Sequence, residues 1–399
     1  MAEPKIRFRE YEGEYNLDKI GNLTDSYSGG TPSAGCSEYY GGKIPFIRSG
    51  EIHNDKTELF LTEIGYSASS AKMVEKGAIL YAMYGATSGE VDVCKINGAI
   101  NQAILAINPQ NDIDSYFLIY LLQNKKKSII STFLQGGQGN LSGSMIKNIT
   151  IEYPDIIEQQ QIAAYFKSLD VLIQSTTKKI ASLKQLKSAS LISMFPQAGE
   201  TKPRVRFKGF EGDWENINLS EVFVERHEIS TITESLPQLS FTIAEGVIKP
   251  EDRKSNKRDF LIKDIDTKKY LVTYRDDIIY NPANVIYGAI HKNSLCNGVV
   301  SPIYKIFYTD QNADFMECIV RKPSFIQEMT IFMEGTVKKL KTLKPESFLK
   351  MSAYISPSLE EQKKIGDFFH SLNIQITLET QRLDKLKQIK SACLDKMFV

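Results

Sequence analysis

Two stretches of the chain carry apolar or small residues at alternating spacings of four and three. In the first, Ile162, Phe166, Leu169, Ile173, Thr176, Ile180 and Leu183 fall in step. In the second, Ile365, Phe369, Leu372, Ile376, Glu379, Leu383 and Leu386 repeat the step. That spacing draws one narrow seam along a helix, as in a coiled coil. Each stretch also has a start signal. Asp155 and Glu158 follow Pro154, and Ser358 and Glu361 follow Pro357, spaced as in a capping box. Interior prolines are absent, and Gly366 is the one interior glycine. Two helices of ~40 residues, each ~60 Å long, are predicted. A helix exposing a single seam needs a partner. The expectation is that the two pair with each other, antiparallel; the alternatives are packing on their own domains or on another chain. Lys187 and Lys390 share one phase of the seam. They either mark where the helices splay or meet another surface, or they snorkel to solvent.

The segments before the helices read differently. Short apolar runs predict strands in KIPFIRS (43–49), GAILYAMYG (77–85) and AINQAILAIN (99–108). Their counterparts are PQLSFTIA (237–244), DDIIYNPANVIYG (276–288) and GVVSPIYKIFY (298–308). A helix is predicted over 114–134 and another over 313–333, the latter broken or restarted at Pro323.

These parallels are one duplication. PKIRFREYEGEY (4–15) matches PRVRFKGFEGDW (203–214) at an offset of 199, pairing Arg7 with Arg206, Phe8 with Phe207, Gly13 with Gly212 and Tyr15 with Trp214. Residues 154–195 and 357–398 match at an offset of 203, with 18 of 42 positions identical, far above chance. Asn97-Gly98 aligns with Asn297-Gly298, while most loop residues do not match. A period of about 200 residues is too long for a solenoid. It describes two domains, each followed by the same helix. A shared scaffold with unlike loops suits two related binding modules with different targets, and drift after duplication gives the same pattern. The opening motif is expected to anchor each module against the helical pair rather than to touch a ligand.

Composition narrows the class. No apolar run reaches the ~20 residues of a membrane span, and the N-terminus lacks the apolar core of a secretory signal. A soluble, cytoplasmic protein is expected. Five scattered cysteines and four isolated histidines indicate neither a disulfide framework nor a metal site. Residues 1–153 hold 14 Lys and Arg against 17 Asp and Glu, net −3; residues 203–356 hold 22 against 21, net +1. Neither half is basic enough to bind nucleic acid by bulk charge, so DNA contact would need local patches or a partner that brings cations.

Catalytic motifs fail on inspection. GTPSAGCS (30–37) has phosphate-loop spacing, but Cys36 stands where the lysine belongs. Tyr280-Asn281-Pro282-Ala283-Asn284 approaches the N-P-P-aromatic motif of amino-methyltransferases but lacks the second proline and the aromatic, and reads as a strand end and turn. Asp252-Arg253-Lys254 and Asp266-Thr267-Lys268 each supply only the D-x-K end of a nuclease metal site. What remains is recognition chemistry. EDRKSNKRDF (251–260) sets phosphate-seeking Arg253, Lys254, Lys257 and Arg258 around the base-reading amide of Asn256. Lys43, Arg48 and Ser49, then Tyr84, Thr87 and Ser88, then Gln138 and Asn140 lie in polar loops flanked by glycine.

Together these features resemble the specificity (S) subunits of Type I restriction–modification systems. The resemblance is carried by GGKIPFIRSGEI (41–52), YGATSG (84–89), and YNPANVIYGAI (280–290) followed by VSPIYKIF (300–307). The P-x-x-x-E-Q helix starts and the Leu-Lys-Gln…Lys-Ser-Ala…Met-Phe helix ends complete it, so it covers essentially the whole chain. It implies an α+β fold: two mixed α/β target recognition domains joined by two long helices forming an antiparallel coiled coil, a pseudo-twofold internal repeat. The expected domains are 1–153 (first recognition domain), 154–197 (first spacer helix), 198–356 (second recognition domain) and 357–399 (second spacer helix). Each recognition domain would read one half of a bipartite, asymmetric double-stranded DNA site, through the loop residues above and through Tyr287 and Lys292 in the second. The coiled coil would set the gap and dock two methyltransferase subunits, and through them restriction subunits. S-adenosylmethionine, ATP and Mg²⁺ would belong to those partners, and this chain would hold no cofactor, metal or catalytic residue of its own. The rival readings are a stand-alone nuclease or methyltransferase, and a coiled-coil adaptor without DNA contact.

Overall fold

The computed structural model describes residues 4–134, 140–253, 268–335 and 341–399. The chain divides into two compact units, Met1–Thr177 with Gln381–Val399, and Lys178–Thr380. Two long helices, Ile156–Ser193 and Leu359–Met397, each give their first half to one unit and their second half to the other. No helix among the described residues is long and apolar enough to cross a membrane.

In the first unit an antiparallel sheet has the order Thr24–Ser28, Ile104–Pro109, Ile79–Ala82, Val91–Val93. A second sheet has the order Leu59–Leu61, Tyr40–Ile47, Gly98–Ile100, Lys72–Val74, with its middle pair parallel. The helix Ser115–Phe133 belongs to the same core as the first sheet. In the second unit Val224–Glu225, Lys305–Tyr308, Ile278–Tyr280 and Ile290–Lys292 form a sheet of the same order. In both units a short strand after the opening motif, Asn16–Lys19 or Glu215–Asn218, pairs with the strand just before the long helix.

Three predicted strands are corrected. The runs 99–108 and 298–308 are each two strands, in different sheets: Gly98–Ile100 and Ile104–Pro109, then Gly298–Val300 and Lys305–Tyr308. A turn separates them. Asn101 Oδ1 accepts from the Ala103 amide at 3.1 Å in the first. Ser301-Pro302 opens the second, where proline cannot donate to a ladder. The run 237–244 contributes only Ser240–Thr242 as strand. Pro323 does restart its helix: Ala313–Val320 ends before it and Pro323–Met329 begins on it.

The Asn-Gly markers gain a physical reason. Asn97 Oδ1 accepts from the Lys76 amide at 2.7 Å, and Asn297 Oδ1 from the Arg275 amide at 3.0 Å. A Cβ on Gly98 would stand 2.7 Å from the Pro45 carbonyl oxygen, and one on Gly298 2.6 Å from that of Pro237. Gly366 is also excluded from change, because a Cβ there would lie 2.4 Å from Asn312 Oδ1.

Within each unit the helices pair antiparallel. In the first, Tyr165 meets Cys393 and Asp170 meets Lys390. In the second, Lys179 meets Glu379 and Phe195 meets Phe369. The Met-Phe end of each helix enters the core beside the start of the other. Phe398 stacks 5.8 Å from Phe166 and 5.3 Å from Phe117. Phe195 lies 5.6 Å from Phe315 and 5.7 Å from Trp214. The opening motif locks onto the same place. Arg7 donates to Glu158 at 2.9 and 2.8 Å and to the Gly13 carbonyl, and Arg206 donates to Glu361 at 2.6 and 2.9 Å and to the Gly212 carbonyl. Beside these, the Ile6 amide donates to the Lys396 carbonyl and the Val205 amide to the Ser193 carbonyl. The capping-box reading is therefore amended. Ser358 Oγ does accept from the Glu361 amide, but the carboxylates of Glu158 and Glu361 serve as buried sockets for the arginines.

Candidate nucleic-acid interface

The first sheet of each unit ends in a hairpin loop at the same topological position. In the first unit it runs from Met83 to Glu90. Gly85 and Gly89, at φ of 71° and 82°, let the chain make the tight turn Gly85–Thr87. Ser88 is buried and its hydroxyl donates to the Met83 carbonyl, while Thr87 Oγ1 donates to that of Tyr84. Those hydroxyls hold the turn's shape. Tyr84 pairs as a β-bridge with Asn140, and the Leu141 amide donates to Met83 O at 3.0 Å. Tyr84 and Asn140 are thus brought to one place.

Arg48 and Ser49 follow the strand Tyr40–Ile47, in a turn that packs against the strand Ile79–Ala82. Arg48 is engaged by two carboxylates, Glu51 at 2.9 Å and Glu58 at 2.8 Å. Lys43 is exposed on the strand itself. The sequence reading passed over Glu51 and Glu58. An Arg-x-x-Glu spacing was the visible signal for the first, while the second comes from ten residues on. It also passed over His53, whose Nδ1 lies 2.9 Å from Asp92 and whose Nε2 lies 3.5 Å from Glu90. Asp92 and Glu90 raise the His53 pKa, with hydrogen bonding to Asp92 the largest cause.

Burial alone would raise the Glu51 carboxyl, but hydrogen bonds from Arg48 and the Glu58 amide hold it at about 2. A carboxyl depressed below its unfolded value of about 4.3 contributes stability above that pH and loses it as pH falls toward 2. Arg48 is 39% exposed, so screening reduces the contribution to on the order of 1–2 kcal/mol. Amide protection in residues 48–58, corrected for the intrinsic exchange rate at each pH, is expected to fall between about pH 4 and pH 2 in the wild type, and to be low throughout in Glu51→Gln. Identical pH profiles in the two proteins would remove Glu51 from this role.

In the second unit the equivalent loop spans Asn281–Ala289. Asn281 Oδ1 accepts from the amides of Ala283 and Asn284, which makes the YNPAN stretch a turn. Tyr287, 68% exposed, stands on the following turn before Gly288 at φ 82°. Lys292 lies on the returning strand and is buried, its Nζ 2.7 Å from Asp276 and 3.0 Å from Asp314. Burial works against its charge, but the two carboxylates outweigh it and raise its pKa. Arg253 follows the turn Pro250–Asp252. Gln138, Lys254, Asn256, Lys257 and Arg258, and the Asp266-Thr267 pair, lie outside the described residues. Among the described residues no cluster of three or more His, Cys, Asp or Glu could hold a metal ion. The loop ends of the two units therefore share a frame and differ in chemistry: Tyr84 with Asn140 in one, Tyr287 in the other.

A family model for the Type I restriction modification DNA specificity domain matches residues 12–185. The MjaIX specificity subunit of Methanocaldococcus jannaschii, a Type I restriction enzyme subunit, is 30% identical over 181 residues, which cover 43% of this chain and 42% of that one. The EcoR124I/EcoR124II specificity subunit of Escherichia coli is 24% identical over 176 residues, covering 42% and 44%. The matched segments thus span less than half the length of either relative. The crystal structure of a Type I restriction–modification S subunit from M. genitalium shares the fold, with a TM-score of 0.65 at 16% identity over 100% of this chain and 99% of that one. Residues 12–185 thus match the Type I restriction modification DNA specificity domain family, and the chain shares the fold of a Type I S subunit.

Proposed function

We propose that the chain is the non-catalytic DNA-specificity subunit of a Type I restriction–modification complex, in which each unit reads one half of a bipartite, asymmetric DNA site. One observation carries this reading: two sheets of identical strand order present the same hairpin loop with different side chains at its end. A repeated frame positions, and an unlike loop specifies. Two methyltransferase subunits dock on the helical pair, and restriction subunits dock through them. S-adenosylmethionine, ATP and Mg²⁺ act in those partners. The net charge of −3 over residues 1–153 supports a division of labour in which partners supply much of the phosphate-binding charge.

In this reading the long helices set the gap between half-sites. One heptad inserted into each helix, near Ile173 and Ile376, adds about 10 Å of helix, or ~3 base pairs of rise. Sequencing of methylated sites is expected to show a longer gap between unchanged half-sites. An unchanged gap would contradict the ruler role.

A further inference from the structure

At one level of the helix pairing the two units differ. In the first, Asp170 is held from two sides: the Tyr120 hydroxyl donates to Oδ2 at 2.8 Å and Lys390 Nζ to Oδ1 at 2.5 Å. The helix alignment puts Lys187 at the position of Lys390 and Asn373 at that of Asp170. Counting from the capping residues Asp114 and Asn312, Cys318 stands where Tyr120 does. The second unit has kept the cation and lost both the carboxylate and the ring.

A groove of about 1000 Å³ lies there, wholly inside the second unit. Lys187, Arg321 and Lys322 line it beside Leu191, Ile374 and Leu378. Arg321 is engaged by Glu317 at 3.2 Å. Lys322 donates only to the Pro196 carbonyl, at 3.3 Å, and faces the Phe195 ring. Among the described residues no hydrogen bond or ion pair reaches Lys187. Burial, and for Lys187 also the neighbouring Arg321, holds both lysines below the usual ammonium range. Glu317 also lines the groove and favours the charged form of Lys187, but it is engaged by Arg321. A half-buried cation in no ion pair of its own, over apolar walls, favours an anion that brings its own apolar surface.

We propose that this groove binds a carboxylate carried on an apolar body, the carboxylate taking at Lys187 the place that Asp170 takes at Lys390. The site is peculiar to the second unit, because the first fills the equivalent place with its own Asp170. A free acid and an acidic side chain on a partner's apolar segment share this chemistry.

The test is calorimetric titration of the full chain at constant ionic strength with octanoate, and with octanamide as the uncharged match. Octanoate is expected to saturate one site per chain and octanamide to bind at least tenfold more weakly. Asn373→Asp supplies the missing carboxylate internally and is expected to weaken octanoate binding at least tenfold, as is Lys187→Met. Equal binding of octanoate and octanamide, or wild-type octanoate binding by Asn373→Asp, would overturn the proposal. The Trp214 fluorescence transition in urea, unchanged from wild type, checks that Asn373→Asp is folded. Displacement of octanoate by a leucine-flanked glutamate peptide, but not by its glutamine version, assigns the source to a protein segment. Octanoate binding without displacement assigns it to a free acid.

Discussion

Replacing Phe195 with alanine is expected to lower the stability of the second unit by about 3–5 kcal/mol, the cost of removing a buried phenyl ring from a packed core. Phe195 is 1% exposed. It ends the first long helix, yet it packs on Phe369 at the start of the second and on Phe315 and Trp214 of the domain. Those rings cannot collapse into the space without moving a helix. Trp214 is the chain's one tryptophan and is itself buried in this core, so its fluorescence reports the unit directly. The urea midpoint followed at Trp214 should fall by roughly 1–2 M, taking a slope of about 2–3 kcal/mol per M. A midpoint within about 0.3 M of wild type would show that the helix end does not carry the core.

Arg206→Ala is expected to cost a similar ~3–5 kcal/mol, for a different reason. The Glu361 side chain is fully buried, and its carboxylate is satisfied by Arg206 and by the Ser356 hydroxyl at 2.5 Å. Deleting Arg206 leaves a buried charge with one neutral donor. Replacing both partners by apolar residues, Arg206→Met with Glu361→Leu, removes the stranded charge and should recover part of the loss. If Arg206→Ala shifted the Trp214 transition by less than about 1 kcal/mol, or if the double variant were worse by the sum of the single effects, the buried-socket account would fail.

The two long helices were legible because their seam obeys one short period, and the buried positions follow it through Leu169, Thr176 and Ile180. The opening motif was legible as a repeat but not as a lock. Arg7 and Glu158 are 151 residues apart, and nothing local to either names the other. Strand boundaries were lost where one apolar run serves two sheets. Asn101-Gln102 is the polar break that marks the crossing between Gly98–Ile100 and Ile104–Pro109, but two polar residues inside an otherwise apolar run also suit one continuous strand. For the candidate interface, glycine-flanked loops pointed to the hairpin at Tyr84. They could not show that Ser88 is consumed by the turn, or that Lys292 already has two carboxylates. Charge pairing of that kind is set by the fold.

The central claim is that each unit reads its own half of the DNA site. It is tested most directly by exchanging residues 15–153 for the corresponding segment of another specificity subunit and sequencing the positions methylated in cells that carry the complex. The account predicts that one half of the methylated sequence changes, while the other half and the gap stay as they were. A change in both halves, or in neither, would contradict it.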